Sequence, residues 1–309
     1  MIFIIIGSMI MSQSQCTIPA PPPEVAIVSP YKSAEAYADT TRPYRSFYSQ
    51  VARWVDGSTA DQACAITALE SWAKSGVMTA QAKSFEGERQ KIRYATAANI
   101  IITKLAASGK KVSPRVVAWA QHITREETQY FLNRRGEVHG PDNLWVWSGV
   151  SAASFQMISQ DPKLAAYSDR VWSDAIGGIL PDGRIKRELQ RAQRALNYTT
   201  YYLAALRWLE AFRSAQGKST NAGERAAIAR LERQILTSMC ANPRRMSGLP
   251  DIQNPPDHLD LEAKPVYFRA DFRDKLMRCG AVFKDSFAPL FGGDVTTTRR
   301  LIDARIRSR

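Results

Sequence analysis

Residues Arg184 to Phe212 read RIKRELQRAQRALNYTTYYLAALRWLEAF, and this stretch decides the fold. Apolar residues recur at helical spacing: Leu189, Ala192, Leu196 and Leu203 form one stripe suited to a core. A second stripe is polar. Arg191 and Tyr198 are seven residues apart, which on a helix puts them on one side at an axial separation of ~10.5 Å. Arg194 lies four residues before Tyr198, and Tyr201 and Tyr202 continue that side one turn on. The spacing predicts one helix over Arg184 to Ser214. Two readings of its Arg/Tyr stripe stay open. It is a solvated basic face with tyrosine packed at its edge, or a site where arginine holds a carboxylate while tyrosine handles a proton.

Helical spacing continues outward on both sides. Ala60 to Ser75, Ala82 to Ala107, Pro114 to Asn133, Asn143 to Ser159, Lys163 to Gly177 and Gly223 to Cys240 all show it. Turn sequences such as SGKKVSP, SQDPK and LPDGR separate several of them. Strand-like alternation is scarce. Helices on short turns pack as antiparallel hairpins. The expected fold is therefore all-α: an (α/α) toroid or incomplete barrel of helical hairpins around a cleft. No charge break or linker divides the middle of the 309 residues. We expect a signal-like segment over 1–16 and one domain over 17–309. Pro-rich stretches, Pro19 to Pro23 and Leu249 to Pro265, flank the helical region.

A second informative cluster is His139-Gly-Pro-Asp-Asn-Leu-Trp-Val-Trp-Ser-Gly149. Gly-Pro-Asp marks a turn, and Asp142 or Asn143 is a suitable N-cap for the helix that follows. Trp145 and Trp147 fall at its first turn. Taken alone, the segment reads as a capped helix with core tryptophans. The functional reading is a cleft mouth, where tryptophan stacks on sugar rings and asparagine bonds a carboxylate.

Composition narrows the partners. Hydrophobic residues make up 45% and charged residues 23%, which excludes disordered and collagen-like chains. Lys plus Arg is 42 against 29 for Asp plus Glu, a formal +13. Such a balance favours an anionic partner: nucleic acid, a membrane surface or an acidic polysaccharide. No nucleic-acid-binding module is recognisable. The first eleven residues, MIFIIIGSMIM, are too few to span a bilayer core of ~30 Å, which needs about 20. They fit the apolar core of a secretory signal, with Ser12-Gln13-Ser14 suited to cleavage nearby; a buried N-terminal helix or strand is the alternative. Cys16 follows Gln15, whereas a lipid-anchored cysteine wants a small residue before it. Cys16, Cys64, Cys240 and Cys279 match no zinc spacing, and with three histidines in the chain neither a metal nor another cofactor is expected. In an exported protein one disulfide is plausible, most simply Cys240 with Cys279; buried thiols are the alternative.

Together these segments resemble the alginate lyase family, the poly-mannuronate lyases. The lead-in Cys16 to Pro23, the helix Ala63 to Ala73 and the Ala-rich Lys91 to Leu105 are each similar to a family segment. Asp142 to Gly149 resembles the family's Asn-Asn-His-x-Tyr-Trp motif. Glu188 to Tyr201 resembles its Arg-Arg-Gln-Arg-Ala-Leu-x-Tyr-x-x-Tyr motif, with Ala192 in place of one arginine. Gly292 to Thr296 resembles its terminal Gly-Gly-Asp-Leu-Thr. The resemblance implies an (α/α) toroid in the periplasm or secreted. It also implies cleavage of a uronic-acid polymer by β-elimination, with no nucleic acid bound, no stable membrane insertion and a monomeric state.

β-Elimination needs a neutralised C6 carboxylate, a base for the C5 proton and an acid for the leaving O4. By position, the resemblance makes Asn143 and Arg191 the neutralising groups. Tyr198 would be the acid and could also serve as base. Trp147, Tyr201, Arg194, Trp145 and His139 would contact substrate, and Tyr31 to Tyr48, rich in Tyr and Arg, would form the lid. The sequence departs from the motif at Leu144, where the family has a functional histidine, and at Val146, where it has tyrosine. If that histidine is essential, the chain is instead a non-catalytic acidic-polysaccharide-binding protein. A different uronan, such as polyglucuronate, would also account for the change.

Overall fold

The computed structural model describes residues 16–23, 25–134, 141–254, 264–283 and 287–308. His139 and the first fifteen residues lie outside them. The described residues contain helices and isolated bridges but no strand. The helices are α1 (Ala34–Val55), α2 (Thr59–Ser75), α3 (Phe85–Ala107), α4 (Pro114–Arg134), α5 (Asn143–Phe155) and α6 (Pro162–Gly177). They continue with α7 (Lys186–Leu189), α8 (Ala195–Ala215), α9 (Ala222–Cys240), α10 (Ala270–Arg278) and α11 (Val295–Arg307). The expected all-α toroid is the observed fold.

Contacts order the helices into two layers. In the inner layer α1, α3, α5 and α8 are successive neighbours. In the outer layer α2, α4, α6 and α9 are successive neighbours, and α1·α2, α3·α4, α5·α6 and α8·α9 form the hairpins. The chain runs out along an inner helix and back along an outer one, so the inner helices begin at one end of the toroid. That end receives the positive ends of their dipoles.

Composition explains the layers. Helix α5 is buried on nearly every face, Leu144 being its one residue that is not. An all-round apolar helix belongs in the middle of a structure, and α5 packs on α3, α4, α6 and α8. The approach is closest at Gly149, where an added Cβ would lie 2.5 Å from Val171 Cγ1. Between α1, α2 and α3, Phe47 stacks on Trp72 at 3.5 Å, and Tyr94 stacks on Tyr44 and Tyr48 at 4.9 and 5.2 Å. At the far end of α1 and α3, Gly292 and Gly293 adopt φ of 75° and 100°, values that exclude most side chains. Lys104 Nζ donates to the Gly292 carbonyl at 2.8 Å and pairs with Asp56. Asp294 caps α11. The Gly-Gly-Asp segment thus anchors the C-terminal helix.

Two sequence expectations are corrected. The Arg184 to Ser214 helix is broken: α7 ends at Leu189, Ala192–Arg194 form one 3-10 turn, and α8 starts at Ala195. Ala192 sits at φ 50°, in the left-handed region that ends a helix. It is exposed, not part of a core stripe, whereas Tyr202, expected on the polar side, is fully buried and donates to the Ala175 carbonyl at 2.8 Å. The Tyr31 to Tyr48 segment is mostly the ordered helix α1, with Tyr44 and Tyr48 in the core. Among the described residues no helix is long and apolar enough to cross a membrane.

All four cysteines are paired, Cys16 with Cys64 and Cys240 with Cys279. The second pair is the one the sequence favoured; the first adds a tie between the lead-in and α2. Loop closure over sequence separations of 48 and 39 residues constrains the unfolded chain by up to about 4 kcal/mol per bridge. Thermal unfolding with and without reductant should show a Tm loss of several degrees on reduction. Separately, Gly149→Ala should destabilise by about 1–3 kcal/mol in denaturant titration, since the methyl must displace Val171.

Candidate active site

The site forms at the end of the toroid where α3, α5 and α8 begin. Asp142 caps α5, accepting the Trp145 N–H at 3.0 Å. The next residue, Asn143, is 1% exposed and is held by a carboxylate from the following hairpin. Glu188 Oε1 accepts the Asn143 backbone N–H at 2.7 Å and its Nδ2–H at 2.9 Å. Glu188 is itself fully buried. Its Oε2 makes no hydrogen bond among the described residues and faces Arg191 Nε at 3.6 Å. Burial raises the Glu188 pKa, helped by the neighbouring Asp142 charge, while Asn143 and Arg191 pull it back.

The turn at Ala192 sets the next geometry. It separates Glu188 and Arg191 from α8, so the Arg191 guanidinium folds over the Tyr198 ring, 4.7 Å from its centroid. Arg191 also lies 3.9 Å from Asp142 Oδ2. Two carboxylates on one side and an aromatic face on the other fix this cation, which stays about one third exposed (36%). The Ala192 turn is secured from outside: Asn254 N–H donates to the Gln193 carbonyl at 2.8 Å, and Leu196 N–H to Gln253 Oε1 at 3.1 Å.

Tyr198 is half-buried. Its hydroxyl meets the Tyr31 hydroxyl at 2.8 Å, from the turn that precedes α1. Burial pushes Tyr198 up to about 12, and the Tyr31 hydrogen bond and charge add to that. The same hydrogen bond lowers Tyr31, with the positive charges of Arg89 and Arg194 adding, against the opposing effect of burial. Arg194 lies over the Tyr31 ring at 5.7 Å. Arg89 is held by Glu86 Oε1 through Nε at 3.0 Å and Nη2 at 2.6 Å. One turn further along α3, Arg93 donates to Tyr201 Oη at 3.2 Å.

Of the sequence-derived candidates, Asn143, Arg191, Arg194 and Tyr198 come together here. Trp147 and Tyr201 pack on each other at 5.2 Å and are only 5% and 7% exposed, so they form the floor under Arg93 and not an open stacking surface. Trp145 stands on another side, lining a cavity of about 440 Å³ with Phe85, Phe131, Leu144, Asp142 and Asp174. Leu144, at the position of the motif histidine, thus faces a chamber beside the site that mixes aromatic and charged side chains. Glu188 and Arg89 were not singled out from sequence, and Tyr31 entered only as the start of the lid segment. The i,i+3 pair Glu188–Arg191 and the i,i+4 pair Arg89–Arg93 were readable signals; the contact of Tyr31 with Tyr198, 167 residues away, was not. Among the described residues no group of three or more His, Cys, Asp or Glu is placed to hold a metal ion.

Comparison with known proteins matches this region. Residues 93–246 fit the alginate lyase family model. A polysaccharide lyase of Stenotrophomonas maltophilia is 26% identical over 208 residues, 64% of this chain and 62% of that protein. An alginate lyase of Pseudomonas syringae pv. tomato is 21% identical over 220 residues, 67% of this chain and 57% of that protein. The matches therefore span less than two thirds of these relatives' length. Among solved structures, alginate lyase A1-III from Sphingomonas species A1 superposes with a TM-score of 0.76 at 21% identity, covering 92% of this chain and 86% of that one. The same lyase complexed with a tetrasaccharide gives 0.76 at 19% identity. The family match runs through α5, α7, the turn after α7 and α8, which carry Asn143, Glu188, Arg191 and Tyr198 in that order, and on that ground the chain belongs to the alginate lyase family.

Proposed function

We propose that this protein is a polysaccharide lyase that cleaves a uronic-acid polymer, alginate/polymannuronate or a polyglucuronate-like chain, by β-elimination outside the cytoplasm. The observation that carries this reading is the seating of Arg191 on the ring of Tyr198 at the basic end of the toroid. A guanidinium beside a phenol is what the reaction requires: a positive charge for the carboxylate of the reacting sugar, next to a group that exchanges a proton with it. Arg89 and Arg194 stand around the same hydroxyl pair and suit further carboxylates along the polymer.

Roles follow from exposure and protonation. Arg191, anchored but partly open, meets the carboxylate and stabilises charge that develops on it once the C5 proton leaves. Asn143 is buried, so it supports this step from behind through Glu188. Tyr198, pushed up to about 12, is a neutral phenol across the neutral pH range and thus a proton donor for O4. The two disulfides support an oxidising compartment, in line with the signal-like N-terminus.

The direct test is new ultraviolet absorbance from the unsaturated product across a panel of polymannuronate, polyguluronate and polyglucuronate. We expect product from at least one; silence on all, with binding retained, would favour the non-catalytic alternative. On the active polymer, Tyr198→Phe and Arg191→Ala should each lower kcat by about 100-fold or more. Glu188 gives a separate stability test. Its folded pKa lies above the ordinary glutamate value of about 4.3, so its favourable contribution is complete below that value and is lost as pH rises through the raised one. Glutamine does not titrate. The stability of Glu188→Gln relative to wild type, from denaturant titrations at several pH values, should therefore rise with pH over that window.

A further inference from the structure

β-Elimination moves two protons, one away from C5 and one onto O4. Tyr198, pushed up by burial to about 12, is a donor for O4 and not an acceptor for the C5 proton, and position 144 holds leucine. Among the described residues the one histidine, His122, is exposed on α4 and bonded to the Thr79 carbonyl at 3.1 Å. Among the described residues, the groups around the Tyr198 hydroxyl include Arg191, Arg89, Arg194 and Tyr31. Arginine gives up no proton at any relevant pH and offers no lone pair. Glu188 is buried, with Oε1 occupied by Asn143 and Oε2 toward Arg191; Asp142 is occupied as the α5 cap. Tyr31 remains. It is 65% exposed, held at 2.8 Å from Tyr198, and flanked by two guanidinium groups.

We propose that Tyr31 is the catalytic base, working with Tyr198 as a two-tyrosine proton relay. This rests on the lyase reading and deepens it. In the reactive form of the dyad Tyr31 is the phenolate and Tyr198 the phenol that donates to it. The Tyr31 oxygen takes the C5 proton. The C5–H electron pair becomes the C4=C5 double bond, the C4–O4 bond breaks, and O4 takes the Tyr198 proton. Tyr31 is now neutral and Tyr198 is the phenolate. A single transfer across their 2.8 Å hydrogen bond returns the Tyr31 proton to Tyr198 and restores the starting state. One proton leaves carbon and one arrives at oxygen, so no outside acid, base or oxidant is needed. The environments match these roles: the arginines around Tyr31 favour its charged form, and burial of Tyr198 favours its neutral form.

The test uses the full-length protein and three readouts. On the active uronan, Tyr31→Phe should lower kcat by about 100-fold or more with KM within a few-fold of wild type. Unchanged kcat, or a loss confined to KM, would overturn the base assignment and leave the lyase reading standing. In the wild type, kcat should rise with pH through a tyrosine ionisation below the ordinary value of about 10, and Arg194→Gln should move that rise to higher pH; a rise that ignores Arg194→Gln counts against the proposal. Ultraviolet titration of phenolate needs no turnover. One early-ionising tyrosine present in the wild type and gone in Tyr31→Phe supports the dyad, and identical titrations refute it. Loss of the early tyrosine with no product from any uronan would keep the phenolate but overturn both its catalytic use and the lyase reading.

Discussion

The buried carboxylate of Glu188 holds the site together. It receives two hydrogen bonds from Asn143 and turns its second oxygen to Arg191, joining the start of α5 to the break before α8. A fully buried carboxylate is costly unless paired and hydrogen-bonded, and removing one partner of such an arrangement typically costs about 3–5 kcal/mol. The cost is met by elements that meet at one end of the toroid, so the carboxylate fixes their relative position. Arg191 is then held between acids and the Tyr198 ring, where it remains charged and partly open. The left-handed Ala192 is the conformational consequence: a continuous helix would carry Arg191 along the α8 face, and the turn lays it over Tyr198 instead.

Most of the fold was legible in the sequence because helical periodicity and turn residues are local signals. Six of the seven predicted segments became helices with boundaries close to those expected. The exception, Arg184 to Ser214, was misread because periodicity does not register a single left-handed residue; the contacts that secure that turn come from Gln253 and Asn254, more than fifty residues on. Helix α1 was missed for a related reason. Its Tyr and Arg content suggested a mobile polar segment, but Tyr44 and Tyr48 serve a buried aromatic stack that is visible only with Trp72 and Tyr94 in place. The site was half legible. Arg191, Arg194 and Tyr198 lie in one motif, and Asn143 in another. Tyr31 was placed in a lid, not against the Tyr198 hydroxyl, since nothing local links it to a residue so distant in sequence.

The formal +13 also resolves into structure. Many arginines are spent on ion pairs away from the site: Arg207 with Glu210 and Glu232, Arg213 with Asp169, and Arg125 with Asp161. Around the two tyrosine hydroxyls, Arg89, Arg191 and Arg194 gather where the inner helices begin. Their charge and the helix dipoles act in the same direction there. Sequence composition left several polyanions open; the proposed polymer, with a carboxylate on each sugar, would meet this concentration at one cleft end. The adjoining chamber adds Leu144, Phe85, Phe131 and Trp145 to a lining that also includes Asp142, Asp174 and Arg134, and gives that end two sides of different character.

The central claim is that Arg191, held by Glu188, receives the carboxylate of the reacting sugar beside Tyr198. A crystal structure of the Tyr198→Phe protein soaked with a uronate tetrasaccharide tests it most directly. One carboxylate should lie within hydrogen-bond distance of the Arg191 guanidinium, with its C5–H toward Tyr31 Oη and the glycosidic O4 beside the ring at position 198. An ordered tetrasaccharide whose carboxylates all avoid Arg191 would contradict it.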